Sequence, residues 1–387
     1  MTTAASLFCG VGGLDLGAAL AGCDISLGID SDSSAIDLHK KTFAGSSRVR
    51  DLGASVDSLN EEWPLEDSPD LLIGGPPCTG FSHAGFWIDK KRNSLDPASE
   101  LLGTMVNAAR QLTPRAVVVE NVPGLAFRNH RHRLDSLVNR LRVAGYATTW
   151  GILNASDFGV AQARRRLFVV GIRGGPPVDL SDWEPTPKRS SGWALKSMRA
   201  AAEPGEVPGG SHGYLLPDVP CGGNYLHFTK ERGCEDPKFK YRSRYWSFLL
   251  KLDPSAPSPT IPASRLTFNG PFHWENRHLR SPELARLQGF PDWFPIDSDH
   301  LASRRHIGNA VPPLLGAAVI DRVLDVLGEE RSDRSPILDR ARDQELSFEQ
   351  VWESPIATLQ RRTDATTGPI STQDFETEGD RFGVGSV

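Results

Sequence analysis

The stretch AASLFCGVGGLDLG, from Ala4 to Gly17, decides the fold class. A short apolar run, Ser6 to Phe8, reads as a strand. It enters a glycine turn, Gly10-Val11-Gly12-Gly13, and then an apolar helix from Leu14 to Leu20. Strand, glycine loop and helix N-terminus together suit a cofactor: the glycines let the backbone approach a ligand, and the first helical N–H groups face it. The dinucleotide pattern G-x-G-x-x-G is only approximated, because Asp15 stands where the third glycine would be, and a plain tight turn would look the same. The next strand, Ile25 to Ile29, ends at Asp30, twenty residues after Gly10. A carboxylate at that place accepts hydrogen bonds from a ribose diol. A helix over Ser34 to Phe43 and a strand over Ser47 to Arg50 follow. They lead to Asp51, which reads either as a partner for an adenine amino group or as an ordinary surface acid.

The same logic extends to Pro69-Asp-Leu-Leu-Ile73, a strand that runs into GGPPCTGFSHAG at Gly74 to Gly85. Two prolines stiffen the turn, so Cys78 is presented at a strand end, where open α/β sheets bind their ligands. It reads as a nucleophile or as a buried thiol. Phe81 to Glu100 has no clear period and is long enough for a functional lid. A helix from Leu101 to Leu112 leads to a strand, Ala116 to Val119, that ends at Glu120-Asn-Val-Pro123. A further strand, Ala147 to Leu153, precedes Gln162-Ala-Arg-Arg-Arg166 and a last strand, Leu167 to Gly171. Alternation of strands and helices from residue 4 to about 172 predicts a doubly wound α/β domain.

From 173 to about 255 the pattern dissolves into proline, glycine and charge, interleaved with aromatics: Trp183, Trp193, Tyr214, Tyr225, Phe228, Phe239, Tyr241, Tyr245 and Trp246. A smaller, irregular domain is expected, its aromatics forming either a core or, beside basic residues, a nucleic-acid surface. Ser281-Pro282-Glu283-Leu284 opens a capped helix. After Gly308-Asn-Ala-Val-Pro-Pro313 comes an apolar helix, Leu314 to Leu327, with the period of one packed on a sheet.

Composition sets limits on function. The 387 residues are 39% hydrophobic and 24% charged, and no apolar run is long enough to span a membrane. The N-terminus lacks a signal-peptide pattern. Five cysteines without a C-x-x-C pair or zinc-ligand spacing point to reduced thiols, a cytoplasmic protein and no metal site. The net charge is −5, but residues 328–387 hold 13 acidic and 7 basic side chains, so that tail carries −6 and the rest +1. The basic clusters at Arg128–Arg133, Arg164–Arg166 and Lys238–Arg244 read as nucleic-acid contacts or as solvated loops.

FCGVGG at 8–13, PPC at 76–78, ENV at 120–122, QARRR at 162–166, RLQGFPD at 286–292 and GNAVPP at 308–313 occur in that order. With these motifs the chain, from about residue 6 to 327, resembles a DNA C5-cytosine methyltransferase. The resemblance implies a Rossmann-like S-adenosylmethionine (SAM) domain with a mixed, mostly parallel sheet at 1–172. It implies a target-recognition domain at 173–300, a helix at 301–327 that returns to the first domain, and an acidic tail at 328–387. By match, Phe8, Gly10, Gly12, Gly13, Leu14, Asp30, Asp51, Pro76, Asn309 and Val311 bind SAM. Cys78 is the nucleophile and Glu120 the acid, while Arg164 and Arg166 hold the base or its carboxylate partner. Pro77, Thr79, Ser82 and Gln162 attend the base and the lid. Arg92-Asn-Ser-Leu95 fits the family's R-x-x-L segment, but Asp96-Pro-Ala-Ser99 looks inserted before the helix. The implied partners are double-stranded DNA and a cognate restriction endonuclease, acted on by a monomer.

Chemistry agrees with the match. Cytosine C5 is a poor nucleophile until a thiolate adds at C6, and a carboxylic acid at N3 stabilises that adduct. A base in a duplex must first be rotated out. A tRNA-methylating relative would carry Cys-Phe-Thr in the variable region, which Cys221-Gly-Gly and Cys234-Glu-Asp do not match. A catalytically dead DNA-binding relative would lack Cys78 or Glu120. A nicotinamide dehydrogenase leaves PPC and QARRR unexplained.

Overall fold

The computed structural model describes residues 2–43, 45–52, 68–77, 97–183, 186–196, 198, 206–242, 245–264 and 267–329. Chain order is β1 (Thr3–Leu7), α1 (Gly13–Leu20), β2 (Asp24–Asp30), α2 (Ser33–Thr42), β3 (Ser46–Val49), β4 (Leu71–Gly74), α3 (Pro97–Leu112), β5 (Ala116–Asn121), α4 (Arg131–Val143), β6 (Tyr146–Asn154), β7 (Gln162–Ala163) and β8 (Arg165–Arg173). Seven of these strands form one sheet in the order β3-β2-β1-β4-β5-β8-β6. β3 to β5 run parallel, and β8 is inserted antiparallel between β5 and β6. The sheet is thus mixed and mostly parallel, as expected. Its order reverses at β1, which pairs with β2 on one side and β4 on the other. At such a switch point the loops diverge and leave a crevice.

Successive strand residues face opposite sides, so each strand feeds two cores. Ala4, Ile25, Leu71, Ile73, Ala116, Val118 and Val170 join α1 and the C-terminal helix in one cluster. Ala5, Leu7, Leu27, Leu72, Val117, Val119 and Val169 join α3 and α4 in the other. The near-continuous apolar strands follow from burial on both faces.

Two helices depart from the sequence expectation. Arg128–Arg133, read as a loop, runs into α4, whose Leu134, Leu137, Val138 and Leu141 make a buried helical stripe beneath an exposed basic face. α3 begins at Pro97, four residues before the expected start, so Pro97-Ala-Ser99 is part of the helix. Proline is favoured at a first helical position because its missing N–H would be unpaired there.

After β8 the chain is mostly irregular. Among the described residues it holds a one-turn helix α5 (Ser191–Ala194), three short 3-10 turns and β9 (Ser258–Pro259), which pairs with β7. Leu215, Leu216, Val219, Tyr225, Phe228, Leu249 and Phe272 form a separate small core. The aromatics therefore divide: Tyr225 and Phe228 are core, whereas Tyr214, Tyr241, Tyr245 and Trp246 are exposed. Leu279 to Phe294 already packs in the main core, so the chain rejoins the sheet domain before residue 300. It does so through α6 (Ser281–Leu287), α7 (His300–Asn309) and α8 (Pro313–Leu327). α6 is capped at Arg280, one residue earlier than expected, with the Glu283 side chain accepting from the Arg280 N–H at 2.8 Å. The helix expected at 301–327 is two helices, α7 and α8, parted at Ala310-Val311-Pro312; α7 is polar and carries no strong helical stripe. Among the described residues no helix is long and apolar enough to cross a membrane.

α8 packs on α1 through glycine. A Cβ built on Gly17 would lie 2.7 Å from the Ala317 nitrogen and 2.8 Å from the Pro313 carbonyl oxygen. Backbone cannot yield as a side-chain tip does. Gly17→Ala is expected to cost about 1–3 kcal/mol by overpacking, read as a lower urea midpoint with an unchanged slope.

Candidate active site

The loop after β1 is wound tightly. Phe8, Gly10 and Gly12 all have positive φ, at 55°, 54° and 93°. Phe8 is the costly one, since a side chain in that region is strained. The loop is held from beneath: the Cys9 N–H donates to the Ile29 carbonyl at 3.1 Å and the Gly12 N–H to the Cys9 carbonyl at 2.9 Å. Asp30 closes it. One carboxylate oxygen accepts from the Gly10 N–H at 2.8 Å and the other from the Asp32 N–H at 2.9 Å. Each oxygen keeps a further lone pair for a ligand hydroxyl. The Arg50 N–H donates to the Asp30 carbonyl at 2.8 Å, which brings the exposed Asp51 to the same rim.

Space around the loop is allotted by side. A Cβ on Gly10 would meet nothing within 4 Å, so that side is open. A Cβ on Gly12 would strike Phe43 at 2.3 Å, and one on Gly13 would strike the Val311 carbonyl oxygen at 2.3 Å. The second contact seats the Asn309–Val311 segment against the glycine loop, with Asn309 exposed and Val311 and Leu14 buried. Below lies a polar chain that sequence reading missed. Ser6 Oγ donates to Asp15 at 2.9 Å, His39 Nε2 is 2.9 Å from the other Asp15 oxygen, and His39 Nδ1 is 2.8 Å from Ser47 Oγ. Asp15 is the residue that occupies the place of the missing third glycine.

Register assembles the other half of the site. Leu7 pairs with Gly74 and Gly74 with Val119, so the loops after β1, β4 and β5 emerge side by side. Antiparallel β8 sets Phe168 opposite Glu120. Arg166, two residues along, is a diagonal neighbour on the same face. Its Nε donates to Glu120 Oε1 at 2.8 Å, and both side chains are about nine-tenths buried. Gly75 leaves room for the carboxyl: a Cβ there would sit 3.2 Å from Glu120 Oε2. Burial pushes the Glu120 carboxyl above its ordinary range, and the Arg166 and Arg164 charges only partly oppose this.

Asn121, overlooked within ENV, has a plain task. Its Nδ2 donates to the Pro76 carbonyl at 3.1 Å, tying the end of β5 to the PPC turn. Pro76 is buried and Pro77 exposed. Cys78, Thr79, Ser82 and the expected lid lie outside the described residues. Among the described thiols, burial pushes Cys9 well up and Cys23 to about 12, so neither is a ready thiolate.

Arg164, expected to hold the base or its carboxylate partner, has a charge that acts on Glu120 and also reaches the backbone. It is fully buried, and its guanidinium donates to the carbonyls of Ile261 at 3.1 Å, Gly308, and Ala310 at 3.2 Å. Gln288, from RLQGFPD, joins it with Nε2 bonds to Ile307 at 2.8 Å and Ala310 at 2.6 Å. The physical reason is position: Arg164 lies outside the β8 ladder, between β7 and β8, so strand alternation does not bind it to the face of Arg166, and it meets carbonyls at the α7–α8 junction. Gln162 is fully buried, and among the described residues neither side-chain amide atom has a hydrogen-bond partner.

The profile of C-5 cytosine-specific DNA methylases matches residues 2–203 and 221–325. The chain belongs to that family. It is a DNA (cytosine-5-)-methyltransferase. The type II methyltransferase M.SacI of Streptomyces achromogenes is 36% identical over 387 residues, covering 89% of this chain and 98% of that one. M.XorII of Xanthomonas oryzae is 29% identical, covering 86% and 87%. The methyltransferase EhMeth of Entamoeba histolytica shares the fold with a TM-score of 0.59 at 16% identity, covering 84% of this chain and 99% of that one. Within this methylase the Glu120–Arg166 pair is directly testable. Removing the cation by Arg166→Gln is expected to raise the Glu120 pKa further, because one of the two opposing charges is lost. A carboxyl-13C NMR titration reads the shift; a lower value would contradict it.

Proposed function

We propose that the enzyme transfers a methyl group from SAM to C5 of a cytosine within a specific double-stranded DNA sequence. In this reading Cys78 forms a covalent adduct with C6 of a flipped-out base. The observation that carries the proposal is a buried carboxyl, Glu120, paired with Arg166 and lying beside the turn that leads into Cys78.

The residues present fit SAM. Phe8, Gly10, Gly12, Gly13 and Leu14 would hold the methionine side, where Gly10 leaves open space. Asp30 would take the ribose with its spare lone pairs, Asp51 the adenine, and Pro76, Asn309 and Val311 would close the site. SAM supplies an electrophilic methyl group. The chain's own part is as follows. The Cys78 thiolate forms the S–C6 bond, and the C5=C6 electrons move so that C5 becomes an enamine carbon able to take up the methyl group. Glu120 donates its proton or a hydrogen bond to N3, and its raised pKa suits it to that task near neutral pH. Arg166 fixes the carboxyl's direction. Water takes the C5 proton, the C5=C6 bond re-forms, and Cys78 leaves. Pro77, Thr79, Ser82 and Gln162 would attend the extruded base. Arg164 would act on it indirectly, by setting the segment that carries Asn309. The exposed Tyr241, Tyr245 and Trp246, beside Lys240 and Arg242, suit the DNA side of the smaller domain. By likeness to type II relatives, a cognate restriction endonuclease, a cytoplasmic setting and a monomer are proposed as well.

Cys78→Ser is expected to abolish methyl transfer to DNA while SAM binding persists; full activity would sink the mechanism. DNA containing 5-fluorocytosine should trap a covalent complex on denaturing gels, because fluorine cannot leave as a proton. Asp30→Ala should weaken SAM binding at least about tenfold, the scale of a charge-assisted hydrogen bond of about 1.5–3 kcal/mol, measured by calorimetry.

A further inference from the structure

A cavity of about 460 Å³ lies between the segment that leaves β8 and the one that returns before β9. Its walls include Thr186, Lys188, Arg189, Ser190, Trp193 and Ser255. The Arg189 guanidinium carbon sits 3.9 Å from the centroid of the Trp193 ring. Stacking uses the face of the guanidinium and leaves its N–H edges free, since all five donors lie in its plane. Among the described residues no carboxylate comes within ion-pair distance of those edges. Burial pulls the Arg189 pKa below its ordinary value, with no opposing charge. Arg189 is half-buried, and its donor edges, open to the cavity, can take an anion. Lys188 adds a second, exposed charge at the rim. Among the described residues its carboxylate neighbour is Asp157 at 3.6 Å, a pair well screened by solvent. Ser190 Oγ accepts from the Trp193 N–H at 3.1 Å and keeps its own proton to donate.

The cavity has a fixed relation to the site. Gly159 on its wall lies five residues before Arg164, and Ser255 lies three residues before Ser258, which pairs with Gln162. Five extended residues span at most about 17 Å. Along one DNA strand, charges recur about every 3.4 Å of axis.

We propose that this cavity is a phosphodiester site. It seats one backbone phosphate of the substrate duplex, a few nucleotides from the target cytosine, on the N–H edge of Arg189 with Lys188 beside it. The contact positions the duplex and reads no base. It rests on the reading of duplex DNA as the substrate.

Binding of fluorescent duplexes, with and without a methylatable site, is measured across a salt series for wild type, Arg189→Gln, Arg189→Lys and Lys188→Gln. Arg189→Gln should flatten the slope of log K against log salt by about 0.9, the value for one phosphate contact. The loss should be equal on both duplexes, with kcat at saturating DNA unchanged. Arg189→Lys should restore the slope. A duplex carrying a single neutral methylphosphonate at the contacted position should weaken wild type but weaken Arg189→Gln no further. An unchanged slope in a variant of an enzyme that methylates DNA overturns the site, as does a loss confined to the methylatable duplex. If Arg189→Gln does not fold, Lys188→Gln decides by the same slope, since its side chain is exposed. A wild-type protein that binds no duplex overturns the functional reading itself, a result distinct from an unchanged slope.

Discussion

One buried guanidinium holds the catalytic half of the chain to its C-terminal half. Arg164 lies between β7 and β8, and its donors reach Ile261 beyond β9 and Gly308 and Ala310 at the α7–α8 junction. Burying a cation costs several kcal/mol unless its donors are satisfied. Here backbone carbonyls satisfy it, and among them Gly308 lies at a helix end, where carbonyls lack intrahelical partners. The exchange fixes the path of Asn309–Val311. That path in turn determines where Val311 meets Gly13, and so the shape of the loop expected to receive the cofactor.

A second constraint joins the two halves of the reaction. Asn121 and Glu120 are adjacent on β5, yet they serve different partners: the first holds the Pro76 carbonyl and the second faces Arg166. The turn that leads to Cys78 and the proposed proton donor are therefore referenced to the same strand end. Parallel β4 and β5 supply two of the three groups, and the antiparallel insertion of β8 supplies the arginine. A wholly parallel sheet would have carried residues 162–166 away from Glu120.

Much of this was legible in the sequence because backbone needs leave marks. Glycine at 10, 12 and 13 and proline at 76 and 77 announced the two turns, and apolar runs announced strands buried on both faces. The expectation that Arg164 and Arg166 hold the base or its carboxylate partner includes the Glu120–Arg166 pair that the fold forms. Side-chain direction was not legible. Arg164 and Arg166 look equivalent in QARRR, yet one turns to backbone carbonyls and the other to a carboxylate. The separation of α7 from α8 was not legible, because a polar helix held by Asp299 at its start and by Gln288 at its end carries no apolar stripe. Asp15 was visible only as a departure from a pattern, although it anchors the polar chain through His39.

The contact of Gly17 with Ala317 joins positions 300 residues apart. Contacts so distant along the chain form late, after the entropy of closing the intervening loop has been met. On a ribosome moving at about 5–20 residues per second, α1 is exposed for roughly 15–60 s before α8 exists to cover it. The glycine loop, one of the first segments made, is completed only by one of the last helices. A nascent or truncated chain therefore has the loop without its closure, and the competence to modify DNA arrives only with the finished fold.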